Sequence, residues 1–398
     1  MRMSSKEQEI VQSIQELSDQ AGTHSPSIST ITEKIPELNI EVDACFLSNP
    51  YATDLFSRQM QEDLIQSGRL REVLEFYPSQ NQVVAENLSH FLEVPKEKIF
   101  IGNGATEIIQ AVIHNFTRRK IVINIPTFSP YYEFVPEGVE VVYNQLYQGE
   151  GFQFNLERYI ELIERENPDT LVLINPNNPS GCYIELADIE YLVNRLHWVD
   201  NIIIDESFIH FAFEGQSTDL ISSTFLTEKF DNLVLMKSMS KDFGIAGIRA
   251  GYAVMDENKV NDLLENGYLW NLSGLAEYFF RLYSNPEFQK RYEKVRVRYL
   301  NETQQFFAEL GKLSGLKAYP SKANFVLVEL TNGMKAVDFT AGMLVKHGVY
   351  TRDCRDKIGL DGEFVRIASR SWEENKRIVN AAKDVLRTGN TGFGLGRN

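Results

Sequence analysis

Seven short runs of apolar residues, separated by stretches with helical spacing, constrain the fold more than any other feature of the sequence. The runs lie at residues 98–101, 121–125, 139–143, 170–174, 201–204, 233–236 and 249–254. Most are apolar almost throughout rather than alternating, which is typical of strands covered by helices on both faces. The order of strands and helices therefore predicts a large α/β domain with a mainly parallel, seven-stranded sheet.

The C-terminal part of the chain predicts a smaller α+β domain. A long helix at 287–310 precedes strands at 324–328, 349–351 and 364–367 and helices at 336–347 and 373–386. We expect an N-terminal helix and arm at 1–45, a segment joining the small domain at 46–75, the large domain at 76–290, the small domain at 291–387 and a flexible tail at 388–398.

Charge and cysteine usage exclude several classes of function. The formal net charge of -15 argues against a nucleic-acid surface, because binding a polyanion requires a basic stripe. Cys45, Cys182 and Cys354 are far apart and show no metal-ligand spacing, so we expect reduced thiols, no metal and a cytoplasmic protein. The N-terminal segment lacks the apolar core of a signal peptide, and no run reaches membrane-spanning length.

Polar residues follow four of the predicted strands. The segments are Gly102–Ile108, Asn175–Gly181, Asp205–Phe208 and Ser238–Arg249. Ligands of open parallel sheets bind beyond the carboxyl ends of the strands, so we expect these segments to share one site. Together they offer a glycine turn that opens a helix, an oriented amide, a buried acid and an amine.

Each of these residues also has a plainer explanation. Thr106 could be a simple helix N-cap, and a single lysine such as Lys241 is more often a solvated surface residue. A nucleotide-binding protein is disfavoured, because the Gly102-Asn-Gly104 turn lacks the third glycine and no phosphate-binding GxxxxGK[ST] motif occurs.

The motifs NPNNPSG at 175–181, DESF at 205–208 and SMSKDFGIAGIR at 238–249 carry a family resemblance. They are similar to those of fold-type I pyridoxal-phosphate enzymes, the class I/II aminotransferases, over about residues 45–386. The chain most resembles the branch with histidinol-phosphate aminotransferases and threonine-phosphate decarboxylases. Further matches are Tyr77-Pro78, Pro126-Thr-Phe128, Trp270-Asn-Leu-Ser273, Ala323-Asn-Phe325 and Arg352–Leu360 leading to Arg366.

The resemblance implies pyridoxal 5'-phosphate as cofactor and assigns the two catalytic residues. Lys241 would form the aldimine with the cofactor and then move the proton at the substrate α-carbon. Asp205 would pair with the protonated pyridine nitrogen, so that the ring can accept electrons.

The resemblance also assigns the remaining cofactor contacts. The amides of Ala105 and Thr106, together with Ser238 and Arg249, would hold the phosphate. Tyr77 would reach the phosphate bound by the neighbouring subunit, which implies a homodimer with shared sites.

Three further residues complete the predicted site. Phe128 would stack on the cofactor ring, and Asn178 would hydrogen-bond the ring hydroxyl and lie beside the substrate. Arg366 would bind the substrate α-carboxylate through a bidentate pair. The plainer alternatives are core packing for Phe128 and Tyr77 and a salt bridge within the small domain for Arg366.

Two departures from the family pattern bear on the reaction. Phe208 stands where many relatives carry a tyrosine that donates to the cofactor hydroxyl. No second arginine lies near Trp270, so a dicarboxylate substrate such as aspartate is disfavoured. Arg352, Arg355 and Arg370 are spare cations that could meet a substrate phosphate.

We expect an aminotransferase that acts on an amino acid with a phosphorylated or otherwise polar side chain, with a 2-oxo acid as partner. The alternative is a decarboxylase of an amino-acid phosphate that resembles the threonine-phosphate type. The two differ in which α-carbon bond stands perpendicular to the cofactor ring. A non-catalytic cofactor-binding protein is disfavoured, because a scaffold has no need for Lys241, Asp205 and Arg249 together.

Overall fold

A computed structural model of the protein describes residues 4–268 and 271–389, which fold into two compact units. Within the described residues, unit 1 contains 4–47, 179–181 and 300–389, and unit 2 contains 48–178, 182–268 and 271–299. Trp270 and residues 390–398 of the predicted tail lie outside the described residues. The domain boundaries expected from the sequence stay a prediction.

Unit 2 is built on a seven-stranded sheet, as the sequence predicts. Strand β1 (Val42–Asp43) belongs to unit 1, and the strands of unit 2 are β2 (Ile99–Asn103), β3 (Lys120–Ile125), β4 (Glu140–Gln145), β5 (Thr170–Ile174), β6 (Asn201–Asp205), β7 (Leu233–Ser238) and β8 (Ala250–Val254). They are ordered β2-β8-β7-β6-β5-β3-β4. Only β8 runs antiparallel to its neighbours in this sheet, so the predicted, mainly parallel α/β architecture is confirmed.

Both faces of this sheet are covered by amphipathic helices. Helices α1 (Ser5–Ala21) and α2 (Ile28–Lys34) belong to unit 1, and those of unit 2 are α3 (Pro50–Met60), α4 (Leu70–Glu75), α5 (Asn81–Leu92), α6 (Ala105–Phe116), α7 (Pro130–Glu133), α8 (Leu156–Glu166), α9 (Leu186–Arg195), α10 (Glu257–Glu265) and α11 (Gly274–Tyr283). Ile203 packs in a core cluster with α6, whereas Ile202 and Ile204 pack in another with α8 and α9. This alternation explains why the strands read as continuous apolar runs.

Unit 1 is an antiparallel sheet with helices. Its further strands are β9 (Leu316–Ala318), β10 (Phe325–Leu330), β11 (Val349–Tyr350), β12 (Arg352–Asp353) and β13 (Phe364–Ala368). Four of them form a sheet in the order β12-β13-β10-β9, and β1 pairs with β11 in parallel. Helix α12 (Pro286–Leu310) contributes to both units, and α13 (Ala336–His347) and α14 (Trp372–Gly389) pack in the core of unit 1.

The N-terminal helix is part of the packing of unit 1. Ile10 on α1 and Ile31 on α2 are buried in one cluster with Leu344 on α13 and Tyr350 on β11. Within residues 4–268 and 271–389, no helix combines the length and the apolar character needed to cross a membrane.

Candidate active site

The strand register of unit 2 brings the predicted site segments to one region of the sheet. In the parallel part, Asp205 at the end of β6 lies opposite Met236 on β7. In the antiparallel part, Ser238 on β7 lies opposite Gly251 on β8, which lies opposite Gly102 on β2. The acid, the start of the lysine turn and the glycine turn therefore occupy neighbouring rows of one sheet edge, as the rule for parallel sheets predicts.

Asp205 is buried and is held by two hydrogen-bond donors. The Tyr131 hydroxyl donates to Oδ2 (2.8 Å), and the Ser207 backbone N–H donates to Oδ1 (2.8 Å). Burial raises the pKa of the Asp205 carboxyl, against the opposing effects of the Ser207 and Tyr131 hydrogen bonds and the Lys237 charge. A carboxylate in this position is stabilised by a nearby cation, and a protonated pyridine nitrogen is such a cation.

Tyr131 is a site residue that the sequence analysis missed. It lies on the short helix α7 and is fully buried. Burial and the neighbouring Asp205 raise the pKa of Tyr131 well above its usual value. Its hydroxyl therefore keeps its proton and donates a hydrogen bond to the carboxylate. The sequence Pro130-Tyr131-Tyr132 gives no signal that separates the buried tyrosine from its neighbour.

The start of helix α6 lies beside the guanidinium group of Arg249. The N-cap residue Gly104 has φ 76° and offers no side-chain hydrogen bond to the helix. Arg249 donates from Nη2 to the carbonyl of Asn103 (3.4 Å), and a Cβ atom at Gly104 would lie 2.6 Å from the same nitrogen. The amides of Ala105 and Thr106 thus begin a helix beside a guanidinium group, an arrangement that suits a phosphate.

The turn after β7 carries Lys241 and two buried serines. Ser238 Oγ accepts a hydrogen bond from the Ser240 N–H (3.3 Å), whereas Ser240 Oγ is buried and has no partner among the described residues. Lys241 is half-buried, and its carbonyl accepts from the Asn49 N–H (3.0 Å). Ser240 is therefore placed to donate a hydrogen bond from its buried hydroxyl to a phosphate oxygen next to the lysine. Ser240 is the second residue that the sequence analysis missed.

Gly244 allows this turn to lie close to the start of α3. Its φ is 61°, and Thr53 Oγ1 donates to its carbonyl (2.8 Å). A Cβ atom at Gly244 would collide with Thr53 Oγ1 and with the Asn49 carbonyl. Any larger residue would therefore push the Lys241 turn away from α3.

Asn178 and Phe128 lie in two loops that are tied together. Asn177, next to Asn178, donates from Nδ2 to the carbonyl of Pro126 (3.0 Å), two residues before Phe128. Asn178 is buried, and Phe128 is half-buried against the core cluster that includes Ile123. The loops after β5 and β3 thus meet, although the roles of Asn178 and Phe128 in binding stay predictions.

Arg366 is described within unit 1, where it lies on β13. Its Nη2 donates to the carbonyl of Cys45 (2.8 Å), and burial, together with the charge of Arg352, lowers the pKa of Arg366. Arg352 on β12 is its direct cross-strand partner. Two like charges opposite each other destabilise a sheet, and here Asp356 offsets part of the repulsion, because its Oδ2 lies 2.7 Å from Nη2 of Arg352.

Tyr77 lies on the surface of unit 2. Its side chain is 92% exposed, and the neighbouring Phe76 is 66% exposed. Both border a surface cavity of about 370 Å³ that is also lined by Arg69, Glu277 and Tyr278. Exposed aromatic rings of this size are enriched where another chain binds.

The groups of unit 2 fit pyridoxal phosphate. The buried carboxylate of Asp205 offers a partner for the ring nitrogen. The start of α6, the Arg249 guanidinium and the Ser240 hydroxyl, which has no partner among the described residues, offer donors for a phosphate. The half-buried Lys241 offers the amine. These are the chemical types that the cofactor requires.

Comparisons with known proteins agree with this fit. Residues 46–381 match the sequence profile described as aminotransferase class I and II. An L-serine phosphate decarboxylase of Campylobacter jejuni is 53% identical and covers 97% of this chain and 99% of its own length. An L-serine phosphate decarboxylase of Sulfurospirillum multivorans is 45% identical over 97% of this chain and 98% of its own. A solved structure of a decarboxylase from the same organism has a TM-score of 0.92 at 45% identity, covering 96% of this chain and 98% of that one.

The expected fold type I and pyridoxal phosphate are confirmed, but the expected aminotransferase activity is wrong. It is overturned by the two similar relatives, both named as decarboxylases, which match nearly the whole chain. The physical reason for the error is that the roles predicted for Lys241, Asp205 and the phosphate donors would be the same in both reactions. Motifs built from these residues predict the cofactor and not the bond that breaks.

Replacing Tyr131 with Phe should weaken cofactor binding. The change removes a hydrogen bond to a buried carboxylate, which is worth about 1.5 kcal/mol or about tenfold in affinity. The measurement is a titration of the apoenzyme with pyridoxal phosphate. Tyr159→Phe is the matched control, because the Tyr159 hydroxyl is equally buried and has no partner among the described residues. Equal affinities for the two variants would contradict the role of Tyr131.

Proposed function

The chain belongs to the aminotransferase class I and II family, and we propose that within it the protein is a pyridoxal-phosphate-dependent decarboxylase of L-serine phosphate. The observation that carries this proposal is the match to two L-serine phosphate decarboxylases over 97% of the chain. The match covers nearly the full length of this chain and of each relative, which supports a shared activity rather than one shared domain.

The proposed reaction removes the α-carboxylate of L-serine phosphate as carbon dioxide. The bond between the α-carbon and the carboxylate breaks, its electron pair stays on the α-carbon, and a proton then replaces the lost group. The product is ethanolamine phosphate. Pyridoxal phosphate supplies an electron sink for that pair when it is bound. Unlike transamination, the reaction needs no 2-oxo acid.

We assign the covalent attachment and the proton to Lys241. Its amine would hold the cofactor before the substrate arrives, and its Nζ, once the substrate amine has displaced it, would deliver the proton to the α-carbon. The Asn49 N–H and the constraint at Gly244 hold the backbone of this turn, so the amine starts from a fixed position. Lys241 and Asp205 are the catalytic residues of this proposal.

The cofactor would be oriented by groups on two sides of the sheet edge. Asp205, with Tyr131 behind it, would bind the ring nitrogen. Ser238, Ser240 and Arg249 would bind the phosphate, together with the amides of Ala105 and Thr106 at the start of α6. Phe128 would cover the ring, and Asn178 would donate to the ring hydroxyl and lie next to the substrate. Phe208, buried and without a hydroxyl, cannot add a second donor to that oxygen.

Two arginines suit the anionic ends of the substrate. L-serine phosphate carries a carboxylate and a phosphate, and we assign Arg366 to the carboxylate and Arg352 to the phosphate. The cross-strand pairing of Arg352 and Arg366 supports this assignment, since directly opposite residues lie on the same face of a sheet; Arg352 also pairs with Asp356. In both contacts a planar guanidinium can form two parallel hydrogen bonds.

Cellular location and assembly are also proposed. We propose a cytoplasmic enzyme, supported by three buried cysteine thiols, Cys45, Cys182 and Cys354. We also propose a homodimer in which Tyr77 donates to the cofactor phosphate bound by a second copy. The 92% exposure of the Tyr77 side chain supports the second proposal, because within one chain this ring covers little surface.

The reaction is tested by incubating the holoenzyme with L-serine phosphate. We expect equal amounts of carbon dioxide and ethanolamine phosphate, with the cofactor left as pyridoxal phosphate. Lys241→Ala serves as the inactive control and should lose the borohydride-reducible bond to the cofactor. Formation of pyridoxamine phosphate with a 2-oxo acid, without carbon dioxide, would refute the proposed activity.

Arg366→Gln should affect the substrate far more than the cofactor. Loss of charged hydrogen bonds costs about 1.5 to 3 kcal/mol, so KM for L-serine phosphate should rise by about ten- to hundredfold. The affinity for pyridoxal phosphate should stay within about twofold of the wild type. Arg377→Gln is the control, since Arg377 is exposed in unit 1 and pairs only weakly with Glu41. Equal losses in substrate and cofactor binding would mark Arg366 as structural.

The shared site is tested by mixing two inactive proteins. Tyr77→Phe and Lys241→Ala each damage a different half of a shared site, so a mixed dimer has one site with both residues intact. Refolding the two variants together should restore part of the carbon dioxide release. If mixed dimers form, as verified by differently tagged subunits, and no activity returns, Tyr77 does not act across the interface.

A further inference from the structure

A buried lysine lies on the face of β7 that points away from the predicted cofactor groups. Successive side chains of a strand point to opposite faces, so Lys237 and the neighbouring Ser238 face different sides of the sheet. Lys237 lies on a central strand of the sheet and is only 2% exposed. A lysine so deep in a protein requires a charged partner.

The partner of Lys237 is Asp242. The Nζ of Lys237 lies 2.6 Å from Oδ2 of Asp242, whose side chain is fully buried. Burial, the largest influence, would raise the pKa of Asp242, but the charges and hydrogen bonds of Lys237 and His210 together outweigh it and lower the pKa, so the pair is ionic. Because residues 237 and 242 bracket the turn 238–241, this ion pair closes the turn that carries Lys241.

The same pair is bonded to the segment that follows Asp205. Lys237 Nζ donates to the carbonyl of Glu206 (3.2 Å), the residue next to Asp205. Asp242 Oδ2 lies 3.0 Å from Nδ1 of His210, five residues after Asp205. The buried cluster thus joins the segment of the predicted acid to the segment of the predicted amine.

His210 completes the cluster as a neutral donor. Burial lowers the pKa of His210 to about 4, and the carboxylate of Asp242 favours the tautomer with the proton on Nδ1. The hydroxyl of Tyr292 lies 2.8 Å from the same nitrogen, and Arg296 Nη1 donates to the carbonyl of His210 (3.0 Å). The Tyr292 ring stacks on Phe243 with centroids 4.0 Å apart, which excludes water from one side.

Stability alone does not explain this cluster. A buried ion pair is often no better for folding than apolar residues of the same volume. Here the pair is also incompletely satisfied, because Asp242 Oδ1 is buried and has no partner among residues 4–268 and 271–389. An ion pair that costs folding free energy and has a fixed direction, placed behind a site, indicates that it positions the segments it joins.

We infer that Lys237, Asp242 and His210 are positioning residues that fix the Lys241 turn relative to Asp205. None of them is assigned a contact with the cofactor or the substrate. The inference rests on the proposed roles of Lys241 and Asp205, and it does not depend on which bond of the substrate breaks.

The test uses the double variant Lys237→Met/Asp242→Leu, which replaces the ion pair with apolar side chains of similar volume. It should fold with a thermal midpoint near that of the wild type. Its turn should lose its fixed position, so pyridoxal phosphate should bind about tenfold more weakly. The circular dichroism of the bound cofactor should fall, and kcat should fall about a hundredfold with a smaller change in KM.

Two further variants separate positioning from stability. Asp169→Asn is the matched control, because Asp169 is equally buried but accepts backbone hydrogen bonds from residues 118–120 at the opposite edge of the sheet. It should lower the thermal midpoint and leave the cofactor dichroism unchanged. His210→Gln retains a neutral donor for Asp242 and should keep most of the dichroism, whereas His210→Leu should lose it.

Three outcomes decide between the possibilities. Weaker, less dichroic cofactor binding in the double variant, with none in Asp169→Asn, supports positioning. Wild-type cofactor affinity and dichroism in the double variant would overturn the inference, whatever its thermal midpoint. If the wild-type holoenzyme releases no carbon dioxide but the dichroism responds as expected, the proposed reaction fails and the positioning role stands.

Discussion

The burial of Asp205 is the constraint on which the site depends. A carboxylate at the end of a central strand, 4% exposed, is costly to keep charged without a cation. Tyr131 and Ser207 supply hydrogen bonds and Lys237 supplies a nearby positive charge, but burial still raises the pKa of the acid. Asp205 is therefore a buried acid that suits the role we propose for it, that of partner to a protonated ring nitrogen. In that role, binding of the ring nitrogen would offset the cost of burying the Asp205 charge, and the affinity for the cofactor would depend on the protonation of its ring.

The sheet converts this one constraint into a complete site. Its register places Ser238 opposite Gly251, and the missing side chain of Gly251 lets the start of α6 approach, since a Cβ atom there would lie 2.8 Å from the amide nitrogen of Ala105. The start of α6, which we propose to bind the phosphate, is therefore fixed by strand pairing rather than by a flexible loop. Groups on rigid elements hold a ligand more precisely than groups on loops. Binding of the cofactor phosphate at this position would therefore also orient the cofactor ring.

Much of the fold could be predicted from the sequence because unit 2 obeys one rule throughout. All seven predicted strands are present, and β5 has the predicted ends, since its apolar run is bounded by polar residues on both sides. The two-residue strands β1 and β12 of unit 1 escaped prediction, because pairing over two residues leaves no periodic pattern. In the site, Lys241, Asp205 and Arg249 belong to compact motifs. Tyr131 and Lys237 act through partners 74 and five residues away, and only the folded chain shows those contacts.

The reaction could not be predicted from the same motifs, because the motif residues and the arginines proposed to bind the substrate belong to different units of the chain. The motif residues that serve the cofactor, Lys241, Asp205 and Arg249, all belong to unit 2. The arginines proposed to meet the substrate, Arg352 and Arg366, belong to unit 1. The bond that breaks is the one held perpendicular to the ring. The groups that bind the substrate carboxylate and phosphate would determine which bond takes that orientation. The motifs of unit 2 therefore predict the cofactor and leave the reaction open, whereas a relative that matches nearly the whole chain also carries information about the residues proposed to bind the substrate.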